Sequence, residues 1–106
     1  MLEHVKMSLL ADYYGGLLTE HQLKIVRGYY DEDLSLNELA EETGVTRQAV
    51  YDILRRAGDK LKDYEAKLGL VSKITCLISR IETVMVSTDT KTAQTLREIL
   101  DEVKEI

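Results

Sequence analysis

Apolar residues recur at steps of three and four along nearly the whole chain, and this spacing predicts helices from end to end. The first helix is predicted over residues 2–14, and the two glycines that follow it mark its end. Thr19 and Gln22 have the spacing of a capping box, so a second helix should begin there and reach about Tyr30. The sequence contains no proline, the strongest helix breaker, and the predicted fold class is therefore all-α.

Residues 36–55 carry the pattern of a helix-turn-helix, in which a glycine turn joins two short helices. Ser35 and Glu38 form a second capping-box pattern before the first of these helices, and Thr46 is placed to cap the next one. The motif needs a small residue where the helices cross, a glycine at the turn, and apolar residues that hold the helices together. In proteins that bind DNA, its second helix lies in the major groove. The positions that meet these requirements are Leu39, Ala40, Gly44, Val45, Val50 and Ile53.

The helix that begins after Thr46 should be long, because its apolar stripe alternates steps of four and three as far as Leu68. The stripe keeps its phase across Gly58, so we predict one continuous helix rather than two. A glycine follows this helix directly and is the next expected break. We therefore predict a helix-turn-helix domain in residues 1–68 and a helical tail in residues 69–106.

The tail repeats the four-three pattern in two further stripes, which predicts a helical hairpin with a turn near residues 87–90. Residues 84–86 could instead form a short strand, although no partner strand is evident. The stripes have two compatible interpretations, namely packing within the chain and dimerisation with a second copy. The residues predicted for a dimer interface are Leu70, Ile74, Leu77, Ile81, Leu96, Leu100 and Val103.

Polar side chains remain on the outer face of the recognition helix once its core positions are assigned. Arg47 is suited to pair with a guanine edge and Gln48 with an adenine edge. Thr46 and Tyr51 could reach phosphate or a thymine methyl, and the basic residues further along suit phosphate. Asp52 is unfavourable beside DNA unless it accepts from a cytosine amino group or orients a neighbouring arginine. The predicted DNA-binding residues are Thr46, Arg47, Gln48, Tyr51, Asp52, Arg55, Arg56 and Lys60.

Charge complicates this interpretation, because the chain has a net charge of −5 and proteins that bind nucleic acid electrostatically are usually basic. Residues 46–62 nevertheless carry a net charge of +3, against −3 for residues 1–34. This local balance favours docking on DNA, with modest affinity and a shallow salt dependence per monomer. The alternative is that these charges only solvate a helix face. The motif would then be the scaffold of an adaptor whose acidic surface binds a basic protein or ribonucleoprotein.

Other chemistry has little support in the sequence. Cys76 is the only cysteine, which excludes an internal disulfide and indicates a reducing compartment. Neither His4 nor His21 has a second ligand at metal-binding spacing, so no metal site is predicted. Nothing else in the sequence indicates a cofactor or an enzymatic activity, and neither is predicted. Neither a signal peptide nor an apolar run long enough to span a membrane is visible, so we expect a cytoplasmic location. The tyrosine pairs at residues 13–14 and 29–30 are expected as core or interface rings, with base stacking as the less favoured alternative.

Residues 18–68 contain, in order, Leu-Thr-Glu-His-Gln, Tyr-Tyr and Leu-Ser-Leu-Asn-Glu-Leu-Ala-Glu-Glu-Thr-Gly-Val-Thr-Arg-Gln-Ala-Val. This order resembles region four of bacterial sigma factors, which contacts promoter DNA with such a helix. Since no sigma region two is present, the chain is not expected to act as a full sigma factor.

The chain as a whole resembles the YlxM family of helix-turn-helix proteins more closely. The features that carry this resemblance are the small size, the opening helix with Asp12-Tyr13-Tyr14, the sigma-like middle and the helical tail. The resemblance implies a gene beside those for signal recognition particle components, and a regulatory role in that protein-targeting pathway. It also implies a recognition helix at residues 46–56.

Overall fold

The computed structural model describes residues 2–105, which form six α-helices, one 3-10 turn and no β-strand. The prediction of an all-α chain is confirmed, and residues 84–86 lie at the end of a helix rather than in a strand. The chain divides between Leu68 and Gly69 into two compact units, here called the N-terminal unit and the C-terminal unit. The helices are α1 (Leu2–Tyr14), α2 (Glu20–Tyr30), α3 (Leu36–Thr43), α4 (Arg47–Leu68), α5 (Leu70–Met85) and α6 (Thr90–Lys104), with the 3-10 turn at Gly15–Leu17.

Side-chain caps start α2 and α3 at the predicted positions. Thr19 Oγ1 accepts a hydrogen bond from the Gln22 amide at 3.1 Å, and Gln22 Oε1 accepts one from the Thr19 amide at 3.1 Å. Ser35 and Glu38 make the same reciprocal pair at 3.1 Å and 3.0 Å. The hydrogen bonds from Ser35 hold the pKa of the Glu38 carboxyl below its ordinary value. Both predicted capping boxes are confirmed, and each cap contributes about 1 kcal/mol.

The turn between α3 and α4 also has the predicted geometry. Gly44 closes α3 with φ of 73°, a left-handed conformation that a side chain would strain. Thr46 Oγ1 then accepts a hydrogen bond from the Ala49 amide at 3.1 Å and caps α4. Residues 36–55 therefore form a helix-turn-helix.

The core of the N-terminal unit is built around α4, which packs against α1, α2 and α3. Val50, Ala57 and Leu61 are fully buried on its inner face. The helix continues for 22 residues without a break, as predicted. Gly58 faces Met7 of α1, and a Cβ built on Gly58 would lie 3.4 Å from Met7 Cε. The glycine is thus accommodated within the helix and does not interrupt it.

Gly28 of α2 lies directly against the side chain of Leu39 in α3. A Cβ built on Gly28 would lie 2.6 Å from Leu39 Cδ2 and 3.4 Å from Leu34 Cδ1. Leu39 is itself buried, so its side chain has little room to move aside. We expect Gly28→Ala to lower the free energy of unfolding by about 1–2 kcal/mol, because overpacking outweighs the higher helix propensity of alanine.

Chemical denaturation of a double-mutant set measures this effect. In a Leu39→Ala background the clash is removed, so Gly28→Ala should become neutral or stabilise the protein by up to about 1 kcal/mol. An equal loss of stability in both backgrounds would contradict the contact between these two residues.

The C-terminal unit is a helical hairpin, as predicted. Helices α5 and α6 pack on each other, and the short connection between them makes them antiparallel. Asp89 Oδ1 caps α6 by accepting a hydrogen bond from the Thr92 amide at 2.8 Å. This bond holds the pKa of the Asp89 carboxyl below its ordinary value.

Two of the residues predicted for the dimer interface are already buried within the hairpin. Ile74 and Leu100 are buried within a single chain, so they offer little surface to a second copy. The physical reason is that heptad stripes on adjoining antiparallel helices first pack against one another. Leu70 and Leu77 remain exposed, whereas Val84 and Ile99 are exposed apolar residues outside the predicted set. The half-buried members of the predicted set are Ile81, Leu96 and Val103.

Candidate nucleic-acid interface

Helix α4 separates its residues into an inner apolar face and an outer polar face along its N-terminal half. The inner face is locked into the core by Val50, Leu54 and Ala57. Most of the predicted DNA-binding residues are exposed to solvent, and Thr46 precedes α4 as its cap. Asp52 is half-buried, while the exposed members are Thr46, Arg47, Gln48, Tyr51, Arg55, Arg56 and Lys60.

The basic residues of this face have no acidic partner within the described range. Arg27, in the same unit, is paired: its Nη1 lies 2.8 Å from Asp12 and 2.9 Å from Asp31. Further along α4, Lys62 Nζ lies 3.5 Å from Glu3. In residues 2–105, by contrast, no ion pair involves Arg47, Arg55, Arg56 or Lys60. Their charges are therefore available to a ligand without the loss of an internal salt bridge.

Asp52 does not orient an arginine, which was one of its two expected roles. Its Oδ1 accepts a hydrogen bond from Gln48 Nε2 at 3.3 Å, one helical turn away. This contact matters for the predicted adenine contact, because bidentate recognition of adenine uses both the amide nitrogen and the carbonyl oxygen of glutamine. Gln48 would have to exchange its bond to Asp52 for the base.

An aromatic cleft adjoins the recognition helix. Its volume is about 310 Å³, and Tyr51 and Arg55 of α4 line it together with Tyr29 and Tyr30 at the end of α2. The Tyr29 and Tyr30 rings meet edge to face with centroids 5.0 Å apart. Burial, followed by the charge of Glu3, raises the pKa of the Tyr30 hydroxyl, which therefore stays protonated and can donate.

Sequence reasoning did not place Tyr29 and Tyr30 at this site. They were expected as core or interface rings, and both are half-buried. No local signal could have joined them to Tyr51, because the packing of α2 against α4 creates the cleft. Tyr14 is the tyrosine that matches the core expectation most closely, since it is buried and donates a hydrogen bond to Glu65.

Across residues 2–105, no group of three or more His, Cys, Asp or Glu side chains is arranged to hold a metal ion. Within the same range, none of the helices combines the length and the apolar content needed to cross a membrane.

This chain is similar to known proteins, in one case over almost its entire length. Residues 1–103 match the family described as "Putative helix-turn-helix protein, YlxM / p13 like". A relative from Clostridium kluyveri, named UPF0122 protein, is 39% identical over 104 residues, which cover 98% of this chain and 94% of that protein. A UPF0122 protein from Caldanaerobacter subterraneus subsp. tengcongensis is 49% identical over 78 residues, which cover 74% and 67% of the two chains.

A third relative matches over a shorter stretch. The UPF0122 protein from Desulforamulus reducens is 60% identical over 73 residues, and the match covers 69% of this chain and 62% of that protein's length. The family match nevertheless includes the helix-turn-helix, its outer basic face and nearly all of the helical hairpin. This protein therefore belongs to the YlxM / p13-like family of helix-turn-helix proteins.

Proposed function

We propose that this protein is a regulator that binds duplex DNA and places the N-terminal half of α4 in the major groove. One observation carries the proposal: Arg47, Arg55, Arg56 and Lys60 lie on the exposed side of α4 without an ion pair in the described range. Contact of these residues with phosphate releases counterions from the DNA, which favours binding. Since no internal salt bridge has to break first, no part of this free energy is lost.

Base and phosphate contacts divide along the helix. Recognition helices contact base edges with their N-terminal residues, which assigns that role to Arg47 and Gln48. Arg47 would donate to a guanine edge and Gln48 would bind an adenine edge. Arg56 and Lys60 lie further along α4 and would hold phosphate groups, which fix the orientation of the helix in the groove.

Selection from a random duplex library at moderate salt tests this function. The native protein should enrich one sequence motif, and the Arg47→Ala/Arg55→Ala variant should enrich none. Failure of the native protein to enrich any motif would contradict sequence-specific binding.

Lys60→Ala should weaken binding to all duplex sequences alike, because a phosphate contact carries no base information. The slope of log K against log salt concentration should become shallower by about 0.9. Fluorescence anisotropy titrations at several salt concentrations measure both quantities. Lys67→Ala is the matched control, since the Lys67 ammonium lies 3.0 Å from Asp63 on the same helix. A changed base preference with an unchanged salt slope would contradict the phosphate role of Lys60.

A second candidate function is that of an adaptor for a basic partner, and a cleft beside α1 favours it. This cleft has a volume of about 430 Å³ and combines apolar Val5 and Leu9 with the carboxylates of Asp12 and Asp31. The two carboxylates share the single charge of Arg27, so one negative charge remains there. An apolar floor with an acidic rim suits a basic amphipathic segment.

By family resemblance, the partner of such an adaptor would be a component of the signal recognition particle. Co-purification with the targeting GTPase or its RNA that survives Arg47→Ala/Arg55→Ala would favour this second function. Absence of binding to every targeting component would exclude it and leave DNA binding as the function to pursue.

A further inference from the structure

One edge of the helical hairpin exposes a row of apolar side chains. Leu70, Leu77 and Val84 are seven residues apart, so they lie along the same edge of α5. They are 40%, 48% and 50% exposed, and Ile99 on α6 is 43% exposed. Helical geometry places these four residues, here called the apolar edge, on one side of the hairpin.

The opposite side of the hairpin has a different character. A cleft of about 310 Å³ lies there, lined by Glu82, Arg97, Asp101 and Lys104 around the apolar Met85 and Leu100. Charged residues thus surround the apolar residues of that cleft, whereas the apolar edge presents four exposed apolar side chains. The two sides are suited to different neighbours.

The small size of the C-terminal unit indicates that it must bury more apolar surface to be stable. It has fewer than forty residues, and units this small usually require a disulfide, a metal ion or oligomerisation to be stable. Among its described residues, Ile74 and Leu100 are the buried apolar side chains. Cys76 is a free thiol, so no disulfide staples the hairpin.

We infer that the apolar edge is covered by the same edge of a second copy of this chain, so that two hairpins form a four-helix bundle. The surface differs from the one that the heptad pattern alone predicts, because Val84 and Ile99 take the place of the buried Ile74 and Leu100. The inference stands without the proposed DNA binding, since it rests only on the C-terminal unit.

Charge complementarity identifies the second copy as the occupant. On α5, the exposed residues beside the apolar edge are Lys73 and Arg80, and on α6 the residue beside Ile99 is Glu102. A two-fold axis parallel to the helices places α5 of one chain against α6 of the other. The basic flank of each hairpin then faces the acidic flank of its partner.

The positions along the two helices match this arrangement. Lys73 lies twelve residues before the end of α5 at Met85, and Glu102 lies twelve residues after the start of α6 at Thr90. In an antiparallel hairpin these residues stand at the same height, so Lys73 of one chain would meet Glu102 of the other. Leu77 lies eight residues before the end of α5, and Ile99 lies nine residues after the start of α6. These two residues therefore also stand at nearly the same height.

Sedimentation equilibrium of the full chain tests the inference. The native protein should be a dimer, and Leu77→Glu should shift it to monomer by placing a charge in the apolar contact. Val86→Glu is the matched control, because Val86 is 87% exposed and lies by the cleft on the opposite side. It should leave the dimer intact. Circular dichroism verifies that every variant keeps its helices. A native monomer at high micromolar concentration, or a Leu77→Glu dimer as stable as the native one, would overturn the inference.

Charge reversal tests the pairing of α5 with α6 of the other chain. Lys73→Glu should weaken the dimer about three- to ten-fold, because it replaces an exposed ion pair with repulsion. Adding Glu102→Lys to this variant should restore the native dissociation constant. If the double variant stays as weak as Lys73→Glu, the proposed two-fold arrangement is wrong.

Discussion

Arg47→Ala/Arg55→Ala should reduce the affinity for the selected duplex by about 30-fold or more. Each arginine that contacts a base edge or phosphate is worth about 1–3 kcal/mol, and within residues 2–105 neither side chain forms an ion pair whose loss would confuse the result. The single variant Arg47→Ala should also relax base choice at one position of the motif. Anisotropy titrations against the selected site and its single-base variants measure both effects.

Arg97→Ala is the control for this comparison. Arg97 is an exposed arginine of α6 and lies outside the proposed DNA-binding face, so its removal changes net charge by the same amount as either single substitution. The control should bind the selected site nearly as well as the native protein. If Arg47→Ala weakens all sequences equally, Arg47 contacts phosphate and the base-reading role assigned to it is wrong.

Leu61→Ala should lower the free energy of unfolding by about 2–5 kcal/mol. Leu61 is fully buried on the inner face of α4, and truncation leaves a cavity that neighbouring helices can only partly fill. For a chain of this length such a loss is a large fraction of the total stability. The midpoint of thermal unfolding, followed by circular dichroism, should fall by roughly 10 °C or more.

Leu68→Ala makes the same chemical change two turns further along the same helix. Leu68 is 49% exposed, so the expected loss is below about 1 kcal/mol. Equal losses for the two variants would show that α4 does not bury its inner face as described, and would count against the packing of α1 and α2 on it.

The features that could be predicted best from the sequence are helix caps and turns, because they depend only on residues close together in the chain. The caps at Thr19, Ser35 and Thr46 each involve a side chain and an amide three residues later, so their geometry follows from local spacing. The turn at Gly44 is equally local. The continuity of α4 across Gly58 was predicted correctly, because the apolar stripe keeps its phase there. Gly58 faces Met7 of α1, a contact that the sequence did not reveal.

Features that depend on distant packing were not readable from the sequence. A heptad stripe gives the direction of an apolar face, but it does not say which members a neighbouring helix covers, so the burial of Ile74 and the exposure of Val84 could not be predicted. Tyr29 and Tyr51 meet at one cleft only because α2 packs on α4. Whether the Asp52 carboxylate accepts a hydrogen bond from Gln48 or from an arginine depends on side-chain rotamers, because all of these partners lie about one helical turn away.

The division of α4 into a packed face and an unpaired face has an evolutionary consequence. Arg47 and Arg55 are exposed and form no ion pair with any residue in the described part of the chain, so their substitution should change stability by no more than about 0.5 kcal/mol. Under the DNA-binding function proposed above, members of the family could acquire new target sequences by drift on the outer face while the inner face stays fixed. The same separation would make this small domain a suitable starting point for engineering altered specificity.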